Sequence, residues 1–258
     1  MDPAGRLARA VIDVDPPLDR GAFLIAACAH ADLDVEAQCA RFDDLARGCP
    51  QATLEGLRAY LFEELGFRGN REHYDDPANS YLDVVLDRRL GIPITLSVVT
   101  VELGRRVGLH LGGVGMPGHF LVKSLDEPEL FLDPFHRGRF LGPPECRALY
   151  EQLNPRVPFD AAFLDVVDSR AILWRMLNNL RQSFGRRGDL SRLRWVLEAQ
   201  VAFPTVTIPE RRLLGGMLGM VGRLDRAAEE LEKVAAELPD EEAQATRQQA
   251  HILRARMN

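Results

Sequence analysis

An α+β fold is what this 258-residue sequence predicts: a helical subdomain with an antiparallel sheet, followed by an all-α helical repeat region. Three observations carry the prediction. Apolar residues recur at helical spacing from Leu18 to Val107. The period then shortens to two between Leu109 and Asp133, with turn residues every few positions. Beyond Ser169 the helical spacing returns, and part of it repeats at an offset of 34 residues. Three segments follow from this: a lead-in over 1–17, a core over 18–157 and a helical repeat region over 158–258.

Composition narrows the function. Apolar residues make up 46% of the chain, enough for a real core, and the net charge is −6. The arginines are scattered among acids, so a nucleic-acid backbone is not an expected partner. No run approaches the ~18 apolar residues of a membrane span. The opening MDPAGRLARAVIDVDPPLDR has acids and prolines where a signal peptide needs an apolar stretch. A cytoplasmic location without a membrane partner is expected. Cys28, Cys39, Cys49 and Cys146 lack CxxC or other ligand spacing, so free thiols, no metal and no cofactor are expected.

Leu18 to Ala31 places Phe23, Leu24, Ala27 and Cys28 on one helical face. Asp32-Leu33-Asp34 breaks the pattern and caps a second helix that ends at Gly48, with Pro50 just beyond. Thr53 to Leu65 is a third helix, stopped by Gly66. Residues 66–80 form a polar loop in which His73, Asp75 and Asp76 suggest a metal site. The reading preferred is a turn whose Asp75, Asp76 or Asn79 caps the next helix. Ser80 to Leu90 is a short helix. Pro93 opens the central helix, Ile94 to Val107, which is apolar on nearly every side and therefore buried. Gly104 within it implies close packing against a strand. Leu109–Val114, His119–Ser124 and Glu129–Asp133 read as strands of a meander joined by turns at 115–118 and 126–128, and Phe140-Leu141 as a further pairing. Glu145 to Leu153 is helical, and Asn154-Pro155 with Pro158 marks a linker.

Leu180–Pro204 superposes on Leu214–Pro239, with Gly188-Asp189-Leu190 on Gly222-Arg223-Leu224, Leu193 on Ala227 and Leu197 on Leu231. The two prolines fall one residue out of register. A 34-residue helix–turn–helix period is the tetratricopeptide signature. Such units make a concave surface, which points to a protein or peptide partner. Wholly buried Trp174, Trp195 and Met217 would instead make the repeats a brace.

The meander also places candidate chemistry. A thiol protease or transglutaminase needs a nucleophile at a helix N-terminus, a histidine base on a neighbouring strand and an acid that orients the histidine. The order here is right: a buried helix, His119 opening one strand, Asp133 closing another. His136 follows closely enough to line the same cleft. Taken alone, Thr95 and Ser97 are ordinary helix hydroxyls bonded back to a carbonyl one turn earlier.

The chain resembles the SirB family of transglutaminase-like proteins with tetratricopeptide repeats over roughly residues 20 to 250. The residues that carry the resemblance include Tyr60-Leu61-Phe62, Gly69-Asn70, Asp76-Pro77, Asn79-Ser80-Tyr81-Leu82, Arg88-Arg89, Gly91-Ile92-Pro93-Ile94, Leu96-Ser97, Pro117-Gly118-His119-Phe120 and Asp133-Pro134-Phe135. The resemblance implies a papain-like transglutaminase core, with His119 and Asp133 at the family's His and Asp positions. It implies an association with regulation and no particular reaction. One departure matters. The family's catalytic cysteine would fall at about Pro93 to Thr95, and no cysteine lies between Cys49 and Cys146.

Three readings follow, in order of preference. The first is a non-catalytic binding or regulatory scaffold. The second is a hydrolase or acyltransferase with Thr95 or Ser97 as nucleophile and His119 with Asp133 as its partners. The third recruits one of the four cysteines from elsewhere in the fold. No chemical role follows from the sequence for Asn79, Ser80 and Arg88-Arg89. Two structural roles suggest themselves: an Arg89–Glu102 pair in the core, and a lid formed by loop 68–80.

Overall fold

The computed structural model describes residues 3–12 and 16–257; part of the expected lead-in, including Asp15, lies outside them. The architecture is α+β. The chain divides into two compact units, residues 14–176 and residues 1–13 with 177–258.

The lead-in contains a helix, α1 (Pro3–Ala10), with Leu7 fully buried. In the first unit come α2 (Leu18–Ala27), α3 (Val35–Arg47) and α4 (Leu54–Ala59), the last continuing as a single π-helical turn, Tyr60–Glu64. Asp34 caps α3 by accepting from the N–H groups of Glu36 and Ala37, and Thr53 caps α4 through Gly56 N–H. Strand β1 (Arg68–Gly69) pairs in parallel with β2 (Leu90–Gly91) on either side of α5 (Leu82–Arg88). These two-residue strands carry no periodic pattern, so the sequence gives no sign of them.

The central helix α6 (Pro93–Arg106) is buried from Pro93 to Thr100 and again from Glu102 to Gly104. A Cβ on Gly104 would lie 2.4 Å from Leu111 Cδ1, which is the close strand packing its position implies. A four-stranded antiparallel meander follows, in the order β3 (Leu111–Val114), β4 (Leu121–Ser124), β5 (Phe131–Asp133) and β6 (Arg139–Leu141). Its register pairs Gly113 with Val122, Val122 with Leu132 and Leu132 with Phe140. Helix α7 (Pro143–Leu153) closes this part over Cys146 and Tyr150. The free edge of β3 is covered by a bridge from Val114 to Val166 and a bond from Val167 N–H to Gly113 O. This pairing carries the unit past the linker expected near residue 157 to Met176, within α8 (Ser169–Arg187).

A charged network ties the helices together. Arg106 bonds Asp19, Asp43 and Glu102, and stacks over Phe42. Glu102 is 3% exposed and also takes Arg105. The Arg89–Glu102 pair suggested by the sequence therefore does not form: Arg89 sits in a left-handed conformation, φ 55°, and donates to Leu65 O.

The second unit contains α1, α9 (Leu190–Val201), α10 (Ile208–Met220), α11 (Leu224–Glu237) and α12 (Asp240–Ala255), besides the end of α8. The turns after α8 and α10 have the same hydrogen bonds at a 34-residue offset. Gly188 and Gly222 both have positive φ, 66° and 81°. Asp189 N–H bonds Phe184 O, as Arg223 N–H bonds Leu218 O. The aligned Leu193, Leu197, Ala227 and Leu231 are all buried. Trp174, Trp195 and Met217 are only partly buried.

Candidate functional site

The turn before β4 sets the first side chain. In Met116-Pro117-Gly118-His119, the Met116 carbonyl accepts the His119 N–H at 3.0 Å and Gly118 has φ 82°. Proline followed by a positive-φ glycine is the type II pattern. It delivers His119 to the start of β4, an inner strand of the sheet, with its side chain 6% exposed. Two further side chains hold the turn. Asn154 Nδ2 donates to Pro117 O at 3.0 Å. Arg175 donates from Nη2 to Met116 O at 2.9 Å and His119 O at 2.7 Å, with its guanidinium 5.3 Å from the Phe120 ring. Burial pulls the Arg175 guanidinium below its ordinary pKa.

The second side chain ends β5. Asp133 is fully buried and caps the 3₁₀ turn Pro134–His136, accepting from His136 N–H at 3.2 Å. One carboxylate oxygen faces His119 Nε2 at 3.0 Å and the other faces His136 Nδ1 at 2.7 Å. Burial pushes the Asp133 carboxyl up, but its bonds to His119 and His136 and their charge outweigh this and hold it below the ordinary carboxylate range. A carboxylate at this position accepts a proton-bearing nitrogen from each ring, leaving His119 Nδ1 and His136 Nε2 as the free ring nitrogens. The structure thus brings His119 and Asp133 together and adds His136. The signal for His136 lay in Asp133-Pro134-Phe135-His136, where an aspartate cap precedes Pro at the first position of a turn. Arg175 was visible only as a lone cation in the apolar run Ile172-Leu173-Trp174-Arg175-Met176-Leu177.

The hydroxyls and thiols behave differently. Thr95 Oγ1 accepts Ile92 N–H at 3.1 Å and lies 2.8 Å from Asn79 O, so it closes the start of α6. Ser97 Oγ is buried and has no hydrogen-bond partner among the described residues, His119 included. Cys146 lies in the core with Val114, Met116, Leu121 and Tyr150. Burial pushes its thiol up to about 12, and Cys39 likewise, so both stay protonated at neutral pH.

Loop 70–76 is pinned beside the site by two buried asparagines. Asn70 Nδ2 donates to Asn79 Oδ1 at 2.9 Å, and Asn79 Nδ2 donates to His73 O and Tyr74 O at 2.7 and 3.1 Å. Asp76 caps the next turn through Ala78 N–H and takes Arg88. This accounts for Asn79 and Arg88 structurally. Among the described residues the set that could hold a metal is His119, Asp133 and His136, whose ligand atoms lie within 4.8 Å of one another. Phe135 stands beside both histidines, with ring centroids 6.1 and 5.3 Å away, and Tyr74 meets it edge-on at 5.8 Å.

Residues 27–178 match the transglutaminase-like superfamily. A UPF0162 protein of Xylella fastidiosa is 38% identical over 196 residues, 67% of either chain. A UPF0162 protein of Pseudomonas aeruginosa is 34% identical over 201 residues, 73% of either chain. F-box only protein 21 of Homo sapiens is 34% identical over 143 residues, 52% of this chain and 22% of that one. No solved structure matches. The chain belongs to the transglutaminase-like superfamily and, with its bacterial relatives, to the UPF0162 family.

Proposed function

We propose that the protein is a non-catalytic binding or regulatory scaffold in which the transglutaminase-like site has been kept as a ligand site. The observation that carries this reading is the absence, among the described residues, of any nucleophile hydrogen-bonded to His119. Thr95 is committed to the α6 start, Ser97 is unbonded, and Cys146 is a protonated core thiol. A hydroxyl depends on an adjacent base to attack, because its own pKa is far from neutral.

The 34-residue recurrence of the turns at Gly188 and Gly222 supports tetratricopeptide-type repeats, and with them the likeness to the SirB family. A protein or peptide partner would bind those repeats; partly exposed Trp195 and Met217 favour this over a brace. A cytoplasmic site of action accords with a chain in which no described helix is long and apolar enough to cross a membrane.

Ser97 gives the test. A buried hydroxyl without a partner costs about 1 kcal/mol or more. Ser97→Ala is expected to raise stability by about that amount in denaturant titrations. A fall in stability would mean that the hydroxyl has a bonded role, and would reopen a serine mechanism with His119 and Asp133.

A further inference from the structure

Next to the histidine–aspartate cluster lies a cavity of about 380 Å³, lined by Arg68, Gly69, Arg71, Phe135, His136 and Arg137. The volume suits a small molecule. Its wall holds three guanidinium groups and no carboxylate. Other arginines of this chain, of net charge −6, do meet acids, as Arg41 meets Asp87, Arg58 meets Glu55 and Arg88 meets Asp76. Among the described residues Arg68, Arg71 and Arg137 make no ion pair.

The three charges are placed by the fold. Arg68 lies in β1, its N–H bonded to Arg89 O. Arg137 has φ 59°, a left-handed conformation that a residue with a side chain seldom adopts, in the turn after Asp133. Arg71 stands 6.0 Å from the Phe135 ring. Gly69 lets β1 approach Phe135: a Cβ there would lie 2.7 Å from the Phe135 carbonyl oxygen. His136 closes the wall with Nδ1 committed to Asp133, leaving Nε2 as its remaining polar atom.

A metal ion at His119, Asp133 and His136 is the competing occupant, and two features oppose it. Both facing nitrogens are already engaged with the Asp133 carboxylate. The unpaired guanidiniums alongside repel a cation and attract an anion. Guanidinium forks match oxyanions of phosphate or carboxylate, and Phe135 offers an apolar wall.

We propose that this cavity binds a small molecule through an oxyanion group, phosphate or carboxylate, held by Arg68, Arg71 and Arg137, with its apolar part against Phe135. The proposal rests on the reading of the site as a ligand site and names its ligand class.

The test is calorimetric titration of the full chain at low salt with phenyl phosphate, benzoate and benzyl alcohol. Saturable binding of either anion is expected, weakening as salt rises, with none for the alcohol. The tighter of the two anions identifies the group. Arg71→Gln and Arg137→Gln are each expected to weaken binding about ten-fold, while Arg47→Gln, at an exposed arginine paired with Asp44, leaves it unchanged. Arg71 and Arg137 are both exposed, so the variants should fold, and circular dichroism checks this. Failure of both anions to bind, equal binding of the alcohol, or indifference to both substitutions would overturn the proposal. A covalent nucleophile found by active-site labelling would remove the non-catalytic reading without altering these titrations, so the two failures are distinguishable.

Discussion

Asp133 is the residue on which the site turns. Its carboxylate is wholly buried yet receives both imidazoles and a backbone N–H, and this reception holds its pKa below the unfolded value of 3.8. The sign of the consequence is fixed by linkage. As pH falls, the unfolded chain takes up the proton first, so the carboxylate's contribution is complete above the unfolded value and is lost as pH falls through the folded one. Asp133→Asn should be less stable than the parent by about 1–3 kcal/mol at neutral pH. That gap should narrow below pH 3.8 in denaturant titrations; a gap constant with pH would contradict the assignment. The His119–Asp133 pairing was legible in the sequence because short turns bring strand ends together. The back-bond of Thr95 to Ile92 O, 3.2 Å, follows the ordinary helix-hydroxyl pattern, but the one expected of Ser97 does not form, because an apolar helix pattern shows that a hydroxyl is buried without showing what it bonds. The donors to the turn carbonyls, Asn154 and Arg175, were missed for a similar reason: they lie 35 or more residues from the turn in sequence.

At the scale of elements, α6 is held from both ends. Its start is closed by Thr95, and its last turn by Arg106 bridging α2, α3 and α6. Arg106→Leu would leave Asp19 and Glu102, 6% and 3% exposed, without this partner, although Arg105 still reaches both. A loss of about 3 kcal/mol is expected, read from chemical denaturation; a change below about 1 kcal/mol would show that Arg105 compensates. The helices and the meander were legible from patterns that persist for several residues, a 3.6 period in α3 and an unbroken apolar run opened by a proline in α6, and from the turn residues that separate the strands. The strands β1 and β2 and the π-helical turn at Tyr60–Glu64 were not. They are too short to carry a period, and it is tertiary pairing that makes them. The turns at Gly188 and Gly222 need positive φ, so Gly188→Ala and Gly222→Ala should each cost about 1–2 kcal/mol. Melting of the two variants checks this, and a repeat implies similar losses; a large inequality would count against equivalence.

For the whole molecule, membership of the transglutaminase-like superfamily and the UPF0162 family fixes the kind of core but no reaction. The missing cysteine was plain from the sequence. Whether another side chain meets His119 was not, because that depends on which polar atoms the fold satisfies elsewhere. On the proposed reading, His119 serves no hydroxyl among the described residues as a base. Intact-mass analysis after treatment with a fluorophosphonate probe at neutral pH, with His119→Ala in parallel, tests it most directly. No adduct on Thr95 or Ser97 is expected in either protein. A stoichiometric adduct on one of these hydroxyls that disappears in His119→Ala would contradict it and make the protein a serine- or threonine-dependent enzyme.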